Sequence, residues 1–356
     1  MPRPIRATIS AGALEHNLLV ARAYAGPAKI WAVIKANAYG HGLERAARAL
    51  GAADGFAVLD FQEAARLRVA GVTKPILMLE GFFKPGDLPL LSKYSLTPVI
   101  HNAEQVEMLR LAALAGEIDV YLKVNSGMNR LGFTTENLRA AYNAVRMHPN
   151  VRNVTLMTHF ADADGAGGVK GQLDWFRELT KDYEAPSSLA NSAALVRFPD
   201  ARGDWVRPGI MLYGCSPFAD KTAQALTLKP VMTLSSEIIA TQHLRPGERI
   251  GYSFSYEAVG EMTIGIVACG YADGYPRHAP TGTPVLVNGK RVRIVGKVSM
   301  DMLCVDIGGI ADAYIGSPVT LWGEGLSADE VATHAGTLSY ELLCKLTQRV
   351  PVAEVP

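Results

Sequence analysis

The chain has 356 residues, beyond the length at which a single core keeps growing, so two domains or one large barrel with an appendage are expected and a single small module is excluded. Hydrophobic residues make up 49% and charged residues 19%, and 35 basic side chains face 34 acidic ones for a net charge of +1, which lacks the electrostatic signature of a nucleic-acid or membrane-surface binder. The basic start, Met1 to Arg6, runs into the mixed segment Ala11–Asn17 rather than an apolar stretch, and no run approaches a membrane span, so a cytoplasmic protein without a signal peptide is expected.

In chain order, Pro4 to Ser10 alternates as a short strand, and Ala11–Ala25 reads as a helix stopped by Gly26-Pro27. Apolar runs at Ile30–Ile34, Phe56–Leu59, Pro75–Leu79, Thr97–Ile100, Val120–Val124, Thr155–Thr158, Ser188–Asn191 and Val206–Tyr213 then alternate with helical patterns at Gly42–Leu50, Phe61–Ala70, Ala103–Ala115, Leu138–Met147 and Gln172–Tyr183. Eight buried strands separated by helices predict a parallel (β/α)8 barrel of the TIM type. A doubly wound open sheet is the competing architecture, but no Gly-rich dinucleotide fingerprint follows the first strand. Near Leu226 the rhythm changes to short strands at Val231–Ala240, Met262–Cys269, Pro284–Val287, Val292–Val298, Met302–Ile307 and Pro318–Leu321. Asn288-Gly289 marks a two-residue hairpin, and Ser327 with Glu330 forms a capping box for one late helix. We therefore read residues 1–225 as a barrel and 226–356 as a mostly-β domain, with the strand at 4–10 left over from the barrel count and assigned to pair into the second domain. The four cysteines, Cys215, Cys269, Cys304 and Cys344, lie far apart in apolar settings without a CxxC pair, which predicts buried free thiols and neither a disulfide nor a metal site.

The stretch richest in chemistry is Ala32-Val33-Ile34-Lys35-Ala36-Asn37-Ala38-Tyr39-Gly40-His41-Gly42, a buried strand that delivers Lys35 to its C-terminal lip. That is where a barrel keeps its function, and where apolar walls favour the neutral amine that can hold a carbonyl cofactor as a Schiff base. The seventh and eighth strand ends carry Asn191-Ser192 and Arg207-Pro208-Gly209-Ile210; a hydroxyl with freed backbone N–H groups suits a phosphate. His159 ends the sixth strand, and Tyr252, Tyr256, Tyr271 and Tyr275 cluster early in the second domain. Taken singly, each of these has an ordinary structural explanation: a snorkelling Lys, a core His, packing aromatics.

VIKANAYGHG closely resembles the cofactor-lysine motif of the bacterial alanine racemases, pyridoxal-phosphate enzymes, and the likeness to their catabolic type runs over essentially the whole chain. The resemblance implies that Lys35 bears pyridoxal 5'-phosphate and that Tyr39, Ser192, Gly209, Ile210 and Tyr340 meet its phosphate. It places Arg207 at the pyridine nitrogen, which a permanent cation would keep unprotonated, weakening the ring as an electron sink and suiting a racemase that must return its proton promptly. The block Leu122 to Phe133 resembles another family segment. Its Arg, here Arg130, meets the substrate carboxylate, and its Lys, here Lys123, is carbamylated in several members; many relatives have Asp where this chain has Asn125. Racemisation needs a base on each face of a planar carbanion. By resemblance these are Lys35 and Tyr256, with Met300 beside the substrate. A phenol is a poor base near neutral pH without positive charge beside it, and the family implies that a chain from Arg207 through His159 supplies that influence. It also implies a homodimer in which each second domain completes the partner's site, acting on alanine to supply D-alanine for peptidoglycan or to serve alanine catabolism.

Three alternatives differ in kind. Ornithine- or diaminopimelate-type decarboxylases resemble this fold but carry an acid where Arg207 stands. Broad-specificity amino-acid racemases tend to be exported and disulfide-bonded. The small pyridoxal-phosphate carrier proteins are single-domain and would lack everything after about Leu226.

Overall fold

The computed structural model describes residues 3–356. Strand β1 (Arg6–Ser10) leads directly into a helix at Ala11–Ala25, whose first turn is capped by the Ser10 hydroxyl accepting the Ala13 N–H at 3.1 Å. Eight parallel strands follow: β2 (Lys29–Val33), β3 (Gly55–Val58), β4 (Ile76–Met78), β5 (Leu96–Ile100), β6 (Ile118–Lys123), β7 (Val151–Met157), β8 (Ser187–Ser188) and β9 (Trp205–Val206). Each pairs with the next, and β9 returns to β2 through Lys29 opposite Trp205 and Ile30 opposite Val206, so the sheet is a closed barrel. Helices cover its outside, and strands buried on both faces read as unbroken apolar runs such as Phe56-Ala57-Val58. Inside, the Trp31 indole donates to the Tyr121 hydroxyl at 2.8 Å and stacks on Trp205 with centroids 4.4 Å apart. Gly55 is opposite Trp31, and a Cβ there would lie 2.2 Å from the indole.

The remaining strands are β10 (Met232–Leu244), β11 (Arg249–Ile250), β12 (Tyr256–Glu257), β13 (Met262–Val267), β14 (Pro284–Val287), β15 (Lys290–Val295), β16 (Leu303–Asp306), β17 (Pro318–Trp322) and β18 (Val352–Val355). All but β11 and β12 form one eight-stranded sheet in which β1 lies between β10 and β18. The long β10 pairs β17 along its first half and β13 along its second, with an irregularity between Ile238 and Ala240. Asn288 and Gly289 join β14 to β15 with φ of 49° and 74°, the double positive pair of a type I′ hairpin turn. β11 and β12 make a separate two-stranded ribbon packed on a small satellite core of Ile250, Ile264 and Val295.

Four expectations need correction. The eighth strand stops at Val206: Pro208 cannot donate to a ladder, and Ile210–Tyr213 turns into a 3-10 helix although its apolar run reads as strand. The helix expected to reach Ala115 ends at Arg110, where the Ala112 N–H swings to Leu109 O in a tightened turn. Ser327 does cap the helix Ala328–His334, through the Asp329 N–H at 3.1 Å, but Glu330 makes no reciprocal bond and pairs with Arg291 instead. Of the four thiols, which are all free, only Cys215 and Cys269 are buried; Cys304 is half-buried and Cys344 exposed.

Candidate active site

A cavity of about 660 Å³ opens at the C-terminal ends of the barrel strands. Lys35, Tyr39, Lys123, Arg130, His159, Ser192, Arg207, Gly209, Ile210 and Tyr340 all line it. Lys35 follows β2, Lys123 ends β6, His159 stands just beyond β7, and Arg207 leaves β9. Tyr340 arrives from the helix Ser339–Cys344 of the second domain, its ring 6.1 Å from that of Tyr39. The sequence reading did not nominate Leu59, Leu79, Glu80, Phe83, His101 or Cys344, which share the lining. Most follow β3, β4 or β5, so the strand-end rule that singled out Lys35 and His159 reaches them too.

Four cationic side chains, Lys35, Lys123, Arg130 and Arg207, share the cavity with a single carboxylate, Glu80. Arg207 is buried and donates to Ser188 Oγ at 2.6 Å, Thr158 O at 2.6 Å and Leu189 O at 3.0 Å, all neutral acceptors. Burial pushes its guanidinium down to about 10, still charged at neutral pH. Lys123 is pushed down to about 8, first by burial and then by Arg207 and Arg130, and its ammonium has no hydrogen-bond partner among the described residues. His159 falls to about 3 because it is buried among these cations, and so is a neutral imidazole. No hydrogen bond joins Arg207 to His159 within this structure; the guanidinium bonds Ser188 and the backbone carbonyls of Thr158 and Leu189, and its charge acts on the imidazole through space. Asn125 keeps the Arg130 loop closed, its Oδ1 accepting the Gly127 and Asn129 N–H groups at 3.1 and 3.0 Å while its Nδ2 donates to Asn129 Oδ1 at 3.1 Å.

At the other end of the cavity the Ser192 hydroxyl oxygen accepts the Gly209 N–H at 2.9 Å, which leaves its own hydrogen to donate. A Cβ on Gly209 would lie 2.7 Å from the Tyr39 hydroxyl, so only glycine leaves this corner open. Burial pushes the Tyr39 phenol well up, and its hydroxyl forms no hydrogen bond among the described residues. Two free hydroxyl donors beside a bare backbone suit an anion such as phosphate.

The turn after Lys35 is unusual. Ala36, Asn37, Ala38 and Tyr39 have φ of 55°, 53°, 54° and 52°, a full left-handed turn without a glycine, which costs roughly 1–2 kcal/mol per residue before other contacts offset it. The buried Glu63 carboxylate accepts the Asn37 N–H at 2.8 Å, and Asn37 Oδ1 accepts the Leu43 N–H at 3.0 Å. Beneath the turn, the wholly buried His41 lies against Tyr213, which also stacks on Tyr39.

Tyr256 and Met300 do not line this cavity. Tyr256 sits on the β11–β12 ribbon, half-buried, where its hydroxyl accepts from Arg293 Nη2 at 3.2 Å, and Arg293 in turn pairs with Asp306 at 3.1 Å. Within one chain the cation beside this phenol is Arg293. Met300 is 52% exposed on a loop whose backbone bonds to Tyr271 and Ala272. Nearby, Asp273 is buried between Arg3 at 2.7 Å and Arg349 at 2.8 Å, which pins that loop to both ends of the chain.

Residues 9–217 match the family model described as "Alanine racemase, N-terminal domain" and residues 231–353 the one described as "Alanine racemase, C-terminal domain". A protein named alanine racemase from Nitrosomonas eutropha is 55% identical over 356 residues, with 99% of each chain covered. Another of that name from Ralstonia nicotianae is 53% identical, covering 100% of this chain and 96% of its own. Among solved structures, one described as biosynthetic alanine racemase from Pseudomonas aeruginosa is 47% identical and superposes with a TM-score of 0.97 over 99% of this chain and 100% of its own. An alanine racemase from Acinetobacter baumannii is 37% identical, with a TM-score of 0.93 over 99% and 100% of the two chains.

Proposed function

The chain belongs to the alanine racemase family of pyridoxal-phosphate-dependent isomerases, and from that premise we propose that it interconverts L- and D-alanine with the residues gathered above. The observation that carries the reading is the cavity itself: lysines at two strand ends, Lys35 and Lys123, an excess of cations, and a corner of free hydroxyl donors opposite them. This donor set fits pyridoxal 5'-phosphate. Lys35 would hold it covalently, Tyr39, Ser192, Gly209, Ile210 and Tyr340 would take the phosphate, and His159 would lie against the ring as a neutral partner. When bound, the cofactor supplies an electron sink for negative charge at the substrate α-carbon.

Arg207 sets how deep that sink is. A guanidinium that stays charged would oppose protonation of the cofactor's ring nitrogen, which would keep the sink shallow and favour prompt return of the proton to the α-carbon. Arg130 would receive the substrate carboxylate. Lys123, with its amine down to about 8, has a neutral fraction near physiological pH that can add to carbon dioxide; losing its proton, it becomes a carbamate anion able to orient Arg130. Lys35 and Tyr256 act as the opposed bases, Tyr256 on the L-alanine face and Lys35 on the D-alanine face, and Met300 narrows the space beside the substrate.

Because Tyr256 and Met300 stand outside their own cavity, we assign them to the cavity of a second copy, in a homodimer with shared sites. Support comes from the large side chains exposed near Tyr256, with Tyr252 at 69%, Phe254 at 68%, Met300 at 52% and Met302 at 44%. We divide the chain into a cofactor-binding barrel, 1–225, and a site-completing domain, 226–356. The free thiols suit the reducing cytoplasm, where the product would feed peptidoglycan or alanine breakdown. The test is a chiral assay of purified protein across several amino acids: loss of one alanine enantiomer with equal gain of its mirror image is expected, and loss without that gain refutes racemisation.

A further inference from the structure

The left-handed turn behind Lys35 is held by a carboxylate that none of the steps above employs. Glu63 lies in the first turn of the helix Phe61–Val69, 7% exposed, and reaches back toward the barrel mouth. Its Oε1 accepts the Asn37 N–H at 2.8 Å and its Oε2 the Leu59 N–H at 3.4 Å, so one side chain braces two stretches of the cavity wall. No cation claims it. Arg66, on the same helix, forms two bonds to Glu44, each 2.9 Å, and the other nearby acid, Asp60, caps the helix by accepting the Glu63 N–H at 2.8 Å. A buried carboxylate kept for two backbone donors, without an ion pair, has its effect through the backbone it holds.

What it holds has no other brace at one point, the Asn37 amide. The turn's other bonds are Ala38 N–H to Ile34 O, Gly40 N–H to Ala36 O, His41 N–H to Ala38 O, Gly42 N–H to Asn37 O, Leu43 N–H to Asn37 Oδ1 and His41 Nδ1 to Ala38 O and Tyr39 O, and none of them fixes the Asn37 N–H. Asn37 and Ala36 are exposed, Ala36 at the cavity wall, so water can replace a lost partner there and the barrel survives, but the residues are then free to fall toward the right-handed region. Ala36 is bonded directly to Lys35, so that change redirects the lysine.

We propose that Glu63 is a positioning residue for the racemisation: by holding the Asn37 N–H it keeps the 36–39 turn left-handed and so fixes where the Lys35 amine enters the cavity. The inference rests on the reading of Lys35 as the cofactor-bearing base of the D-alanine face. Glu63→Gln turns one of the two acceptors into a donor facing a donor, at nearly unchanged volume.

The experiment has two readouts. In the cofactor-free protein, backbone hydrogen exchange of residues 35–42 should quicken about tenfold in Glu63→Gln, the scale of one lost charge-assisted bond, while the barrel strands stay as protected as before. In the loaded enzyme, exchange of the α-hydrogen with solvent should slow more from D-alanine than from L-alanine, because only the Lys35 face is disturbed; general loosening would slow both alike. Glu63→Asp, which keeps the charge but is too short to span both donors, should show the same asymmetry and serves if Glu63→Gln does not fold. Adding Ala36→Gly to Glu63→Gln should recover part of the D-alanine exchange, since glycine accepts the left-handed conformation readily. Unchanged exchange at 35–42, or equal slowing from both enantiomers, overturns the proposal. Borohydride trapping in Lys35→Ala protein separates the two claims: a cofactor adduct formed at another lysine sinks the Lys35 reading, whereas the hydrogen-exchange result stands or falls with Glu63 alone.

Discussion

The folded state should lose stability below neutral pH through one histidine that never meets substrate. His41 is wholly buried, its Nδ1 3.0 Å from Ala38 O and 2.9 Å from Tyr39 O, its ring 4.7 Å from that of Tyr213, and its Nε2 without any partner. Nδ1 must carry the hydrogen to serve two carbonyls, so a second proton could enter only at Nε2, in a place that offers it no acceptor. Burial accordingly pushes the imidazole from 6.5 down to about 4, with Arg45 adding to the fall and the two carbonyls opposing it. Between those two values the unfolded chain binds the extra proton and the folded chain does not, so unfolding is favoured increasingly as pH drops through that window. At about 1.4 kcal/mol per unit, the full difference is worth roughly 3 kcal/mol, present above pH 6.5 and mostly lost by pH 4.5. Urea unfolding of the wild type and of His41→Phe, at one protein concentration and several pH values from 7.5 to 4.5, isolates the effect, because the carboxylates common to both cancel. His41→Phe keeps a flat ring on Tyr213 and starts about 1–2 kcal/mol less stable at pH 7.5 for want of the carbonyl bonds. Its deficit should shrink and then reverse toward pH 4.5. A deficit that stays constant over the range would refute the assignment of a buried neutral His41.

Two further outcomes concern the site. Tyr256→Phe should slow α-hydrogen exchange from L-alanine more than from D-alanine, the opposite asymmetry to Glu63→Gln; equal slowing would leave Tyr256 as a wall of the pocket. Lys35→Ala mixed with Tyr256→Phe under subunit exchange should regain up to about half of the normal activity per heterodimer, since a two-fold assembly then has one site with both lesions and one with neither; heterodimers seen by mass but without activity would place Lys35 and Tyr256 of one site in the same chain.

What could be read from sequence follows the range of the forces involved. The barrel was legible because a parallel strand covered on both faces is apolar throughout, as in Ile76–Met78, and because helices separate such runs. The Asn288-Gly289 turn was legible because its demand for two positive φ angles is local. Ile210–Tyr213 misled for the converse reason: a short buried apolar run looks the same in a strand and in a 3-10 helix, and only Pro208 hinted at the break. The left-handed turn at Ala36–Tyr39 had no signal at all, since none of its residues is glycine and Glu63, which holds its Asn37 N–H, is remote in sequence. The same holds for the phenol of Tyr256, whose cation within the chain is Arg293 from β15, and for Arg207, whose partners are the Ser188 hydroxyl and two carbonyls that no motif records.

The stretch around Tyr256, proposed to complete the site of a second copy, has little support within one chain. Tyr256 lies on a two-stranded ribbon outside the main sheet, and such a pair is marginal in isolation. Ser253 and Phe254, just before it, adopt φ of 61° and 49°, and Tyr252 and Phe254 project apolar area into solvent. Covering these side chains with a second copy would remove apolar surface from water, steady the ribbon and present the phenol to a cavity in which four cationic side chains face one carboxylate. Pairing and catalysis are then the same event: whatever separates the two chains should remove the proton donor of one face while leaving the Lys35 chromophore in place.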